Sequence, residues 1–336
     1  MELVVDAYSS VPTQDQLSEQ IRRAYLAGDL KPGVPLPSSR QLANDLEISH
    51  ETVLKTYEAL KAGDWIDKGL TGRPRIHPDA GRQAERAFIG QLEGELKDAS
   101  QMQSDLLPDA EPLFEGVDVS GICVPANQVG GDYYAYLTHW EDRLAVVLAD
   151  VSGHGMKSAT VAIRFSEMLR YEARDSNDVE AILSRLSESL RSTTPEEMMV
   201  TCGIGLLDRQ SKVFRFTSAG HPRIFRRSGE DRTIEQVFTP GIPLGIGYEH
   251  LVETAYGSIE FPLDPGSVFV LASDGVEETR NPAGEFYGED RLAAVVGRFD
   301  GSTARVLRDS ILADLRAFRD GEPPADDLTI VVLSVE

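Results

Sequence analysis

Four places in this 336-residue chain set aspartate at the end of an apolar run: Asp132 after "VGG", Asp150 closing "VVLAD", Asp274 closing "VFVLASD", and Asp326-Asp327 opening "DDLTIVVL". A single strand-end aspartate commonly serves as a turn or cap residue, because its carboxylate accepts nearby main-chain N–H groups. Several such carboxylates gathered at strand ends repel one another unless something positive lies among them. Mg²⁺ or Mn²⁺ meets that need, since a hard cation takes oxygen ligands, few carboxylates and several waters. Zinc is disfavoured: Cys123, Cys202 and the histidines show no ligand spacing. The cysteines read as buried free thiols in apolar segments.

Short strands are needed to present these acids. "VDVSGICV", "RLAVVLAD", "MMVTCGIGLL", "KVFRFTSAG" and "GSVFVLASD" supply them. Two helical stretches, "SATVAIRFSEMLRYEA" and "VEAILSRLSESLRS", lie together between strands, and "TARVLRDSILADLRAF" follows near the end. Strands in runs with helices in adjacent pairs predict an α+β layered domain over 108–336, not a βαβ doubly wound sheet.

Upstream, residues 82–107 predict a long helix ended by Leu107-Pro108, because the residue before proline leaves the helical region. Ile89, Leu92, Leu96, Ala99, Gln103 and Leu106 fall on alternating steps of three and four. This stripe reads either as a homodimer seam or as a helix packed on its own domain, and Gln103 is its one polar member. A helical linker is therefore assigned to 81–107.

Residues 1–80 form a smaller module. Leu17, Ile21, Ala24 and Tyr25 recur at helical spacing up to Gly28; Ser38-Ser39 can cap a second helix and Ser49 a third bearing Val53, Tyr57 and Leu60. A short helix, a tight turn and a longer helix predict a helix-turn-helix, and "DWIDKGLTGRPRIH" suits a two-stranded wing with Gly72 and Pro74 near its tip.

The formal net charge of -22 argues against a protein whose main business is neutralising DNA phosphates or anionic lipid. Nine Lys and Arg against twelve Asp and Glu give residues 1–80 a net -3, which leaves -19 for the rest. Short hydrophobic runs and the absence of a basic, apolar N-terminal leader predict a cytoplasmic protein without a membrane span.

"GDLKPGVPLPSSRQLA" and "ISHETVLKTYEAL" resemble the GntR-type winged helix-turn-helix. In that family the helix after the turn enters the major groove. The resemblance implies DNA contacts by Arg40, Ser49, His50, Thr52 and Lys55, with Lys68 and Arg73 in the wing. It departs from the family where Leu54 and His50 replace commoner basic residues, so phosphate neutralisation is weakened. The fold could equally persist as a dimerisation or sensor module.

"PANQVGGDYY", "LADVSGHGMKSA", "FTSAGHP", "GIPLGI", "LASDGVEETRN", "GEFYG" and "DDLTIVVL" occur in an order that resembles the SpoIIE-type serine/threonine phosphatases of the protein phosphatase 2C-like superfamily. The resemblance implies a two-layer β-sandwich flanked by helices with two Mn²⁺ or Mg²⁺ ions at one edge. Asp132 would bind one ion and Asp150 would bridge both; the Val151 carbonyl, Asp274 and Asp326 would add oxygens. Asp327 is either a ligand or an orienting group. Gly130, Gly131, Gly153 and Gly155 would let backbone approach closely. Two metals would activate water for in-line attack on phosphorus. His154 is a candidate general acid, although eukaryotic relatives carry histidine two residues after the bridging aspartate, where this chain has Ser152; a metal-bound water is the alternative. The family's kinship suggests a phosphorylated STAS-type anti-sigma-factor antagonist as substrate, with the winged module as regulator. The contrasting reading is a DNA-binding transcription regulator whose phosphatase-like domain senses or docks.

Overall fold

The structure, a computed structural model, describes residues 3–6, 9, 11–68, 73–77, 80–195, 197–246 and 256–336, without the side chains of 81–88, 91 and 92. Gly72 of the wing and the Leu92 side chain of the helical stripe lie outside the described residues. The chain divides into two compact units, Met1–Glu95 and Leu96–Glu336.

In the first unit, α1 (Thr13–Leu26), α2 (Ser39–Asp45) and α3 (His50–Ala62) precede a hairpin of β1 (Ile66–Lys68) and β2 (Pro74–Ile76). Both predicted caps form: Ser38 Oγ accepts the Gln41 N–H at 3.2 Å and Ser49 Oγ accepts that of Thr52 at 3.0 Å. They satisfy first-turn donors that the helices themselves cannot. Ile21, Leu42, Val53, Leu60 and Ile76 close one core that binds the hairpin to the helices.

The helix α4 (Ala80–Ser104) stops three residues before Leu107. The following bonds tighten, with Leu106 N–H on the Gln103 carbonyl and Leu107 N–H on that of Ser104, both at 3.1 Å. Leu106 and Leu107 pack against the second unit's cores, and turning them inward ends the regular helix before the proline does.

The second unit is an antiparallel sandwich. Its elements are β3 (Val117–Val124), β4 (Tyr133–Leu137), β5 (Arg143–Val151), α5 (Met156–Ala173), α6 (Val179–Arg191), β6 (Val200–Asp208), β7 (Val213–Ala219), β8 (Ile224–Arg227), β9 (Ile234–Val237), β10 (Ser258–Pro262), β11 (Val268–Ala272), α7 (Asp274–Glu277), α8 (Gly288–Gly297), α9 (Ala304–Arg319) and β12 (Leu328–Val335). One sheet runs β10-β7-β6-β5-β4 and the other β3-β12-β11-β8-β9. The α5–α6 pair covers the first sheet and α8–α9 the second, so the layers read αββα.

This layering explains why the central strands β5, β11 and β12 are apolar nearly throughout, whereas the edge strands β9 and β10 are largely exposed. Along β5, Leu144, Val146 and Leu148 face the opposing sheet, while Ala145, Val147 and Ala149 face α5 and α6. Both faces are dry, so alternation of polar and apolar residues disappears. The period of two nevertheless sets direction: Asp150 continues the inter-sheet face of Leu148. On the other sheet Thr329 and Asp327 continue the face of Val331, and Ser273 that of Leu271. One end of the inter-sheet layer is thereby made of polar side chains.

Candidate metal centre

Asp132 sits just before β4 and is 4% exposed. Asp150 lies next to last in β5, opposite Thr201 of β6. Asp274 opens α7 after β11, and the Asp326-Asp327 pair precedes β12 without forming part of it. Segments as far as 195 residues apart in sequence thus converge at one end of the sandwich.

The electrostatics of the acids reflects this convergence. Burial pushes the Asp132 carboxyl well above the usual range, and Asp150 and Asp327 push it further, against the lowering influence of the Thr329 and Ser273 hydroxyls. Asp150 rises to about 7 through burial and then the charges of Asp274, Asp326 and Asp327, against a lowering influence of the adjacent Asp132 side chain. Asp274 is raised by burial, Asp326 and Glu278. Every charged side chain acting strongly on these three acids is another carboxylate. Such a group is unstable when fully ionised unless a cation joins it.

The two members of the final pair differ. Asp327 is 7% exposed and accepts main-chain N–H groups from Ala126 at 2.8 Å, Gly131 at 2.6 Å and Asp132 at 3.4 Å. Both its oxygens are thus engaged by the loop that carries Asp132. Asp326 is exposed and accepts the Asp327 N–H at 2.8 Å. A Cβ at Gly130 would stand 2.0 Å from Asp327 Oδ2, so glycine is required for this seat. At Gly131 a Cβ would stand 2.6 Å from the Val151 carbonyl oxygen, which glycine leaves accessible beside the Asp132 loop.

These residues fit a divalent cation. Asp132 Oδ2 is buried with no hydrogen-bond partner, which is costly for an ionised oxygen unless a positive group meets it. Among the described residues, no three carboxylate, imidazole or thiol side chains already converge as a closed shell. Mg²⁺-type sites do not require one, since one or two carboxylates per ion suffice when main-chain oxygens and waters supply the rest.

The turn after β5 resolves the neighbouring candidates. Gly153 and Gly155 take φ of 88° and 82°, a conformation that favours glycine, and His154 between them is exposed. Among the described residues no hydrogen bond joins His154 to the acids. Ser152, at the position of the eukaryotic histidine, latches to Met199 just before β6: its N–H donates to the Met199 carbonyl at 3.0 Å and its Oγ accepts the Met199 N–H at 2.9 Å. His221 is buried beside Gly203 of β6, its imidazole held neutral by burial with a pKa lowered to about 3. Its main chain closes a turn with Ser218 Oγ, which accepts the His221 N–H at 2.9 Å.

Sequence reasoning missed the hydroxyls of Ser273 and Thr329 and the two hydrogen bonds between the Gln103 amide and the Gly130 main chain. Strand parity could have found Ser273 and Thr329, since both continue an apolar face next to an aspartate. Gln103 carries a visible signal, a polar residue in an apolar stripe. In the first unit, Arg40, His50, Lys55, Lys68 and Arg73 are exposed. Ser49 is engaged as a cap that also bonds the Thr52 hydroxyl at 2.7 Å, His50 Nε2 pairs with Ser39 Oγ at 3.0 Å, and Lys55 pairs with Glu51 at 2.9 Å.

The family model described as stage II sporulation protein E (SpoIIE) matches residues 141–336, more than half the chain. The chain belongs to the SpoIIE family. It is 28% identical over 256 residues to phosphoserine phosphatase RsbU of Bacillus subtilis (strain 168), a match that covers 75% of this chain and 73% of RsbU. The SiaA-PP2C domain of Pseudomonas aeruginosa shares the fold, with a TM-score of 0.65 at 24% identity over 74% of this chain and 99% of that domain. A separate match, 43% identical over 65 residues, is to the probable rhizopine catabolism regulatory protein MocR of Rhizobium meliloti; it covers 19% of this chain and 13% of MocR. The chain therefore carries a SpoIIE-type protein serine/threonine phosphatase domain together with a GntR-like helix-turn-helix module. Among the described residues no helix is long and apolar enough to cross a membrane.

Proposed function

We propose that this SpoIIE-family phosphatase works with two Mn²⁺ or Mg²⁺ ions and removes phosphate from serine or threonine of a STAS-type anti-sigma-factor antagonist in the cytoplasm. The observation that carries the reading is the pair of buried Asp132 and half-buried Asp150, raised in pKa by burial and then by neighbouring carboxylates, with no cationic side chain among the groups acting on it. Asp132, Asp150, Asp274, Asp326 and the Val151 carbonyl would hold the metals, and Asp327 would orient the loop through its main-chain bonds. Divalent ions at such a site supply Lewis acidity toward phosphate and activate water.

The protein's own part is placement and proton handling. Gly131 keeps the Val151 carbonyl accessible, and the Ser152 latch to Met199 holds the turn that follows Asp150. His154, exposed on that turn, is the side chain there able to deliver a proton to the departing serine oxygen. Manganese-dependent hydrolysis of p-nitrophenyl phosphate and of a phosphoserine STAS protein is expected, with loss of both in Asp150→Asn and Asp274→Asn. Full activity in those variants overturns the reading.

The first unit supports a regulatory role with DNA as its ligand. Arg40, His50, Lys68 and Arg73 are exposed on α2, α3 and the wing, where a helix-turn-helix meets a duplex. The engaged Ser49, the Lys55–Glu51 pair and a net charge of -3 over residues 1–80 imply weak binding, resting on few phosphate contacts, that falls further as salt rises. Fluorescence anisotropy at low and physiological salt, with phosphatase rates recorded on the same samples, tests both binding and regulation. Salt-insensitive binding, or none at low salt, removes DNA as the ligand. A homodimer joined along α4 completes the proposal.

A further inference from the structure

The loop bearing Asp132 is gripped from outside the sandwich by a residue of α4. Gln103 Nε2 donates to the Gly130 carbonyl at 2.6 Å, and Gln103 Oε1 accepts the Gly130 N–H at 3.0 Å. One side-chain amide therefore satisfies both polar groups of a single residue, two positions before Asp132. On its other side Gly130 lies against Asp327, whose carboxylate holds the N–H groups of Ala126, Gly131 and Asp132. The loop precedes β4 and takes these bonds from two side chains far from it in sequence. The last turn of the linker is itself anchored: Arg170 of α5 donates to the Leu106 carbonyl at 3.3 Å, and Leu106 and Leu107 pack into the cores beneath.

From this geometry we infer that Gln103 is a positioning residue for the metal loop, so that the seating of the end of α4 sets how well Asp132 can bind a cation. The inference rests on the metal reading above. It also accounts for the polar interruption in the apolar stripe of α4. A leucine there would continue the stripe but leave the Gly130 N–H and carbonyl without their partner. Groups that orient a metal ligand through hydrogen bonds change affinity on the order of 10–100-fold when removed. An effect of that size requires no contact between Gln103 and the ion.

The test uses the full chain and Mn²⁺ alone as the probe. Gln103→Leu retains bulk and helix propensity; Gln103→Glu retains an acceptor for the Gly130 N–H but sets an oxygen against the Gly130 carbonyl. Calorimetric titration is expected to show Mn²⁺ dissociation constants raised on the order of 10–100-fold in both variants. The manganese midpoint for p-nitrophenyl phosphate hydrolysis should move by the same factor, and turnover at saturating Mn²⁺ should fall by less. Thermal unfolding in chelator checks that both variants are folded. Unchanged Mn²⁺ affinity in the two variants, beside its loss in Asp150→Asn, overturns the role of Gln103 and leaves the metal reading standing. Absence of Mn²⁺ binding by the unaltered chain overturns both.

Discussion

Adjacent aspartates with opposite duties make a sharp prediction. Asp327 accepts two short main-chain bonds, from Ala126 at 2.8 Å and Gly131 at 2.6 Å, on opposite oxygens. Asp327→Asn keeps the shape but retains one acceptor, so an NH₂ group must face one of these N–H donors. One bond to a charged acceptor is lost, worth about 1.5–3 kcal/mol, and a buried N–H is left unpaired at a further cost of about 1–3 kcal/mol. Partial relaxation makes about 2–4 kcal/mol a reasonable net. For a unit the size of Leu96–Glu336 each kcal/mol corresponds to roughly 2–4 °C, so the melting temperature in chelator should fall by about 5–15 °C. Asp326 is exposed, and Asp326→Asn should leave that temperature within about 2 °C while weakening Mn²⁺ binding. Scanning calorimetry in chelator followed by Mn²⁺ titration separates the two. If Asp327→Asn melts with the unaltered protein, or Asp326→Asn destabilises as strongly, the division of labour drawn from these bonds is wrong.

Gly130→Ala should act on the same seat from the other side, because its Cβ meets Asp327 Oδ2 at 2.0 Å; a melting temperature lower by several degrees, about 1–3 kcal/mol, with weaker Mn²⁺ binding is expected, and an unaffected protein refutes the close approach. Glu277 titrates near 7 because burial and then Glu289 raise it, against the lowering charge of Arg223. A carboxyl raised on folding stabilises the native state below its unfolded pKa of 4.5, and that contribution is lost as pH rises through about 7. Glu277→Gln should therefore flatten the fall in stability between pH 5 and 8, by about 1–2 kcal/mol after allowance for solvent screening. Urea unfolding across that range checks it, and an unchanged slope would place the cause elsewhere.

Much of this protein was legible in one dimension. The segments "VVLAD", "VFVLASD" and "DDLTIVVL" announce the acidic strand ends, Ser38 and Ser49 announce helix starts, and paired helices between runs of strands announce the layered sandwich. These features are local or periodic: a cap acts within three residues, and strand parity needs only a count of two. The chain alone therefore pointed to the helix-turn-helix with its hairpin, to the layered domain, and to the acids whose charges the fold brings to act on one another.

What only the tertiary structure decided depends on groups far apart in sequence. Asp327, one residue from Asp326, holds a loop some two hundred residues away, so no local pattern could say which of the pair would turn inward. The end of α4 came three residues early because Leu106 and Leu107 turn into the sandwich core, which outweighs the preference that Pro108 imposes on its neighbour. Gln103 stood in the sequence as a flaw in an apolar stripe. In the folded chain its amide meets both main-chain polar groups of Gly130, a partner that exists only once the sandwich has closed beside the helix. A sequence states which groups need partners, whereas folding chooses the partners, because burial makes every unpaired polar atom costly and the chain brings together those able to satisfy it.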